Sequence, residues 1–136
     1  MMISTRGRYA LRVMLDLAEH SSDGYIPMNV VANRQQLSLK YLEQILPVLS
    51  KNNLIEGVHG KGGGYKLVRN ASEYTVGEIL RLTEGSLAPV TCLSNDKEPC
   101  MNGEHCKTLP LWTGLNKVVN EYLDGITLDA LLNNSI

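Results

Sequence analysis

The chain has 136 residues, 43% of them hydrophobic, with no Phe and a single Trp; that suits one domain, or a small domain with an added arm, and a core of Leu, Val, Ile, Met and Tyr. Its formal net charge of −1 conceals a basic first half, with nine Lys/Arg against five Asp/Glu over residues 1–70, and an acidic second half, with four against nine over residues 71–136. No apolar run is long enough to span a bilayer and residues 1–9 lack a secretory apolar stretch, so the sequence reads as cytoplasmic with no membrane partner.

Ser4 or Thr5 can cap a first helix whose apolar positions Ala10, Val13, Met14, Leu17 and Ala18 recur at helical spacing. Arg6, Arg8 and Arg12 decorate its first turns. Asp23-Gly24 predicts a turn, and Pro27 precedes a short helix through Val30, Val31 and Ala32 that ends near Gln36. Ser38 can cap the next helix. There Leu39, Leu42, Leu46 and Leu49 form the expected core stripe, leaving Lys40, Tyr41, Glu43 and Gln44 outside. Pro47 predicts a kink or an early end, because it removes an amide donor and crowds the preceding turn.

Two strands are expected around residues 54–58 and 65–68, with Gly62, Gly63 and Gly64 permitting a tight tip. Those glycines do not form a nucleotide loop, since no Gly-Lys-Ser/Thr follows. Thr75 and Glu78 have the spacing of a capping box and open a helix that stops near Gly85. Residues 86–108 lack periodicity and contain all three cysteines, Cys92, Cys100 and Cys106. Pro110 suits the first turn of a long helix with the stripe Leu111, Leu115, Val118, Val119, Tyr122 and Leu123. Gly125 ends that helix, and Thr127 can cap a last turn through Leu128, Leu131 and Leu132.

A helix with a polar outer face running into a Gly-rich, basic hairpin is the layout of a winged helix-turn-helix. The fold expected is therefore mainly α with a small β-hairpin wing: a winged helix-turn-helix over residues 1–85, a cysteine-bearing sensor loop over 86–108, and a long C-terminal helix with a final turn over 109–136. Double-stranded DNA is the partner this layout and the charge division imply. Gln44 can pair with adenine and Glu43 can accept from the cytosine amino group. Ser38, Lys40 and Tyr41 complete the polar face, the last two better suited to phosphates. His59, Lys61 and Gly63 lie in a wing tip narrow enough for a minor groove, and Arg6 and Arg8 add positive charge. No nucleophile–base pairing or acid/base pair stands out, so turnover is not expected.

Three cysteines in a cytoplasmic chain argue against a disulfide framework. The spacing, seven residues and then five between thiols, leaves an iron–sulfur cluster, zinc, thiol redox sensing and an incidental cluster of cysteines all open. Adjacent to Cys106, His105 is the nearest candidate fourth metal ligand.

The segments STRGRYALRVMLDLA, LSLKYLEQILPVLSKNNLI, GKGGGYKL, TVGEILRLTEG and LPLWTGLNKVVNEYLDGITLDALLNN together resemble, in order and spacing, the Rrf family of bacterial regulators, the family of IscR-, NsrR- and CymR-like proteins. The resemblance covers almost the whole chain and is nearest to the IscR-like members. It implies a homodimer whose long C-terminal helices cross at the interface, roughly palindromic promoter DNA, and a 2Fe-2S cluster held by Cys92, Cys100 and Cys106. The chain departs from the IscR-like pattern in three places. Cys92 and Cys100 stand two residues further apart, Leu109 occupies the position of the fourth-ligand histidine, and His59 replaces a wing arginine. Arg8 and Arg12 stand where some relatives recruit a ligand from the partner subunit, and arginine does not ligate iron. Glu104, Asp96 or an exogenous thiol are further substitutes for the fourth ligand. The CymR-like branch implies the alternative: a cluster-free repressor of cysteine or sulfur metabolism, controlled by thiol oxidation or by a partner enzyme of cysteine or cluster biosynthesis.

Overall fold

The computed structural model describes residues 3–94 and 106–136. Among these residues the chain forms α1 (Thr5–Glu19), α2 (Met28–Gln35), α3 (Leu39–Lys51), β1 (Ile55–Val58), β2 (Gly64–Leu67), α4 (Val76–Glu84), α5 (Leu109–Asp124) and α6 (Leu128–Leu132). Short 3-10 turns occur at Ser21–Asp23, Ala71–Glu73 and Thr91–Leu93. The mainly helical architecture with a two-stranded antiparallel hairpin agrees with the fold class expected from the sequence.

Helix α1 is the central post. Ser4 Oγ accepts from the Gly7 amide at 3.2 Å, satisfying one of the free donors of the first turn. Ala10, Val13, Met14 and Leu17 then face the main core, and α1 touches α2, β2, α4 and α6. Gly7 has a steric reason: a Cβ there would sit 2.3 Å from Glu84 Oε1, the carboxylate that accepts from the Ser4 amide and hydroxyl.

Helix α2 is capped by Gln36, whose left-handed backbone (φ 54°) lets its amide reach the Ala32 carbonyl. Leu37 drops into the core and Ser38 starts α3, so three residues form the whole turn between the two helices. Helix α3 runs unbroken through Pro47 to Lys51, so the early end does not occur. Pro47 and Glu43, whose carbonyl loses its partner, both lie on the exposed side, where water can replace the missing bond. The buried stripe also differs from expectation: it is Leu42, Ile45, Leu46 and Leu49, whereas Leu39 is 44% exposed.

In the wing, Ile55 pairs with Leu67 and Val58 with Gly64. The hairpin is tied to the entry of α2 by a bridge in which the Ile26 and Tyr65 amides each donate to the other's carbonyl at 2.9 Å. Gly64 (φ 150°) is the residue that allows this approach, since a Cβ would lie 2.3 Å from the Ile26 backbone. Tyr74, fully buried, holds the wing base: its hydroxyl donates to the Leu54 carbonyl at 2.6 Å and accepts from the Val68 and Arg69 amides at 3.0 Å each.

Thr75 Oγ1 caps α4 by accepting from the Glu78 amide at 3.1 Å. The reciprocal half of a capping box is replaced, because the Glu78 carboxylate pairs with Arg69 at 2.7 Å. A complete capping box stands instead at Asn70 and Glu73. The C-terminal turn returns to this region: the Val76 amide donates to Ile126, the Leu128 amide donates to Tyr74, and Leu128 is buried in the main core. Helix α5 is different. None of its residues is fully buried, and Leu111, Leu115, Val118 and Tyr122 stand exposed along one stripe. Ile3 joins Val118, Val119, Tyr122 and Leu123 in lining an open, wholly apolar groove.

Candidate nucleic-acid interface and cysteine loop

The outer face of α3 presents Leu39, Lys40, Glu43, Gln44 and Pro47 to solvent. Ser38 is exposed as well, but its hydroxyl is engaged as the helix cap, accepting from the Tyr41 amide at 3.1 Å. Tyr41 is half-buried, its ring packed edge-on against Tyr9 with centroids 5.2 Å apart. Among the residues the sequence singled out on α3, Lys40, Glu43 and Gln44 thus keep free side-chain tips on one face, and Tyr41 spends most of its ring on packing.

At the wing tip His59 and Lys61 are exposed. The Gly63 amide donates to Gly60 at 3.0 Å, and Gly60 and Gly62 take positive φ of 90° and 78°. Gly63 serves the turn itself: a Cβ would lie 2.2 Å from the Val58 carbonyl oxygen. Arg6 and Arg8 are exposed on the first turn of α1, where Arg8 also donates to Thr5 Oγ1 at 3.0 Å.

Eight of the nine Lys/Arg of the first half divide into two groups, while the ninth, Arg12, is half-buried and bonded to Gln35. Arg34, Lys66 and Arg69 are paired with Asp16, Glu56 and Glu78. Among the described residues, Arg6, Arg8, Lys40, Lys51 and Lys61 make no ion pair, and all five are exposed. Positive charge available to an anionic partner is therefore concentrated on the start of α1, α3 and the wing tip.

Behind α3 lies a polar network with no sequence period to announce it. The Asp16 carboxylate, almost completely buried, receives two hydrogen bonds from the Arg34 guanidinium (2.7 and 3.1 Å) and one from Gln35 Nε2 (2.9 Å). Burial alone would raise the Asp16 pKa; the Arg34 and Gln35 hydrogen bonds and the positive charge nearby outweigh it and hold the carboxyl below its usual range. Arg12 donates to both the side chain and the backbone carbonyl of Gln35, and its guanidinium lies over the Tyr9 ring, 5.4 Å from the centroid. Tyr9 in turn abuts Tyr41. The series Asp16–Gln35–Arg12–Tyr9–Tyr41 links α1, the end of α2 and the first turn of α3.

Of the candidate metal ligands, Cys92 and Cys106 are described, and Cys100 and His105 lie outside the described residues. Cys92 is half-buried in the Thr91–Leu93 turn. Cys106 precedes α5, its carbonyl accepting from the Leu109 amide at 3.3 Å. Its Sγ lies 3.2 Å from Thr108 Oγ1, and that hydrogen bond lowers the thiol pKa. The two helices bracketing the loop are clamped together, for Arg81 on α4 donates to Asn120 and, bidentately, to Asp124 on α5. Gly77 makes room: a Cβ there would meet Asp124 Oδ1 at 2.1 Å. Among the described residues no helix is long and apolar enough to cross a membrane.

A family model described as "Rrf2: Iron-dependent Transcriptional regulator" matches residues 3–134. The chain is similar to the HTH-type transcriptional regulator IscR of Pectobacterium atrosepticum, 41% identical over 134 residues that make up 98% of this chain and 80% of that protein. In structure it is similar to IscR of T. potens (TM-score 0.79, 36% identity, covering 100% of this chain and 89% of that one). It is equally similar to CymR (YrzC), the global cysteine regulator of B. subtilis (TM-score 0.80, 33% identity, covering 100% and 99%).

Proposed function

The chain belongs to the Rrf2 family of transcriptional regulators, and from that premise we propose that it reads promoter DNA as a homodimer, with α3 in the major groove and the wing alongside, under the control of an iron–sulfur cluster held by the cysteine loop. As a member of that family it is a DNA-binding transcriptional regulator of the IscR type and not an enzyme. The observation that carries the finer reading is the face of α3: Lys40, Glu43 and Gln44 stand exposed together at the start of a helix whose other side is locked into the core. Arg6, Arg8, Lys40 and Lys61 supply charge for phosphates; Glu43 and Gln44 supply hydrogen-bonding groups for base edges. The exposed α5 stripe suits a second copy of the chain, because Leu111, Leu115, Val118 and Tyr122 are otherwise left in water.

The donor set fits a 2Fe-2S cluster. Thiolates are its natural ligands, and at Cys106 the Thr108 hydroxyl already favours the thiolate. Cys92, Cys100 and Cys106 would hold the cluster, with His105 as the nearest fourth ligand. When bound, the cluster would supply a link across the loop that depends on iron supply and oxidation. The chain's own part is to connect that loop to the DNA-reading half: Cys106 leads within three residues into α5, and Arg81 fastens α5 to α4. A second reading, thiol-based control without a cluster, is favoured by the same Cys106 thiol and by the likeness to CymR.

The test is to purify the protein without oxygen and assay iron, sulfide and visible absorption, for wild type and for Cys92→Ala and Gln44→Ala. We expect iron and sulfide in near-equal amounts in wild type and Gln44→Ala, and loss of both in Cys92→Ala. Gln44→Ala should instead lose selective binding to duplexes chosen from a random pool by the wild type. A colourless wild type that stays colourless after reconstitution would replace the cluster by the thiol reading.

A further inference from the structure

The leucines and the isoleucine of α3 fall into two sets. Leu42, Ile45, Leu46 and Leu49 are all at most 5% exposed and belong to the main core. Leu39 is 44% exposed and belongs to neither core cluster. It is the first residue of α3, directly after the Ser38 cap, on the face shared with Lys40, Glu43 and Gln44. The start of a recognition helix is the part that reaches base edges.

The chemistry of that face is incomplete without an apolar group. Gln44 can identify adenine by its paired donor and acceptor, and Glu43 can accept from the cytosine amino group. Thymine offers these residues little, because its O4 is an acceptor of the kind guanine also presents. Its distinguishing mark in the major groove is the 5-methyl group, which an aliphatic side chain recognises by excluding water from it.

We infer that Leu39 is a specificity-determining residue that reads the thymine 5-methyl group beside the bases contacted by Glu43 and Gln44. The inference rests on α3 lying in the major groove.

The probe is a duplex selected from a random pool by the wild-type protein, resynthesised with each thymine replaced in turn by uracil. This removes the methyl group and leaves every hydrogen bond in place. Wild type should lose about fourfold in affinity at one position of a half-site, the value of one buried methyl group. Leu39→Ala should be insensitive to uracil at that position, and Leu39→Met, which keeps an apolar tip, should retain the sensitivity. Leu39→Ala should also unfold at the wild-type temperature, since its side chain fills no core space. The inference is overturned if no uracil substitution weakens wild type, or if the same position weakens Leu39→Ala equally. Gln44→Ala, measured on single-base variants of the same duplex, separates the two levels. Unchanged base preferences there would remove α3 from the major groove altogether, whereas altered preferences with a blank uracil scan would remove Leu39 alone.

Discussion

The helix-turn-helix half and helix α5 are built on opposite terms. Around α1, α2 and α3 the apolar side chains, Leu39 excepted, are buried or half-buried, and the buried charge Asp16 has three donors from Arg34 and Gln35. On α5, four large apolar side chains along one stripe lie 40–62% exposed, and no residue is fully buried. The first region is complete within one chain; the second is held to the domain by polar contacts from Arg81 and by Leu123 against the smaller core cluster, and leaves an apolar stripe exposed. A region finished internally can be rigid and present a fixed reading face. A region left unfinished is where assembly and signalling can act.

The largest expected effect breaks the comparison at α5. If a second copy covers the stripe, Val118→Glu combined with Tyr122→Glu should convert a dimer to a folded monomer in sedimentation experiments. Affinity for a palindromic duplex should fall by roughly a hundredfold or more, because the second half-site no longer binds intramolecularly. A double variant that remains dimeric, or a wild type monomeric at micromolar concentration, would leave the stripe without this explanation.

Next in size is the buried network. Asp16→Ala leaves Arg34 and Gln35 without their acceptor, and should cost about 3 kcal/mol and lower Tm by roughly 10 °C. The sign with pH follows from the depressed carboxyl: folded Asp16 holds its proton more weakly than unfolded Asp16, so its contribution is present above the ordinary carboxylate pKa and lost as pH falls through the folded value. The stability gap between wild type and Asp16→Asn should accordingly be widest near neutral pH and narrow below about pH 4. A gap independent of pH would mean the ion pair is not what stabilises this corner. Tyr74→Phe is smaller. It strands the Leu54 carbonyl and two wing-base amides, and should cost about 2 kcal/mol in chemical denaturation. An unchanged midpoint would show that the wing base does not depend on that hydroxyl.

Those two networks were also the least legible part of the sequence. Helical periods, the Ser38 and Thr75 caps, the glycine-rich tip and the apolar stripe of α5 are local signals, and each marked its element correctly. Asp16 and Arg34, or Tyr74 and Leu54, are eighteen and twenty residues apart and share no period. The errors that did arise locally have physical causes. Leu39 fits a leucine stripe in spacing, yet the core lies under the neighbouring positions, and Ile45 takes the place expected of it. Glu78 has capping-box spacing, but Arg69 offers its carboxylate a charged partner. At the candidate interface the sequence identified Lys40, Glu43 and Gln44 as outward-facing, and missed that Tyr41 is half withdrawn behind Tyr9.

The smallest effect sharpens the distinction between committed and available charge within the wing itself. Lys61, at the tip, is exposed and makes no ion pair among the described residues. Lys66, on β2, lies 3.4 Å from the Glu56 carboxylate and 4.7 Å from the centroid of the Tyr25 ring. Formal charge counts the two alike, but a lysine already neutralised by a carboxylate releases few counterions when a phosphate approaches. Lys61→Ala should therefore weaken binding evenly across duplex sequences, and should reduce the slope of log affinity against log salt by about 0.9 for each bound copy. Lys66→Ala should change that slope far less, because it exposes Glu56 rather than removing a phosphate contact. Equal slope changes for the two variants would show that the Glu56 pair opens on DNA, and that both faces of the hairpin, not the tip alone, meet the phosphate backbone.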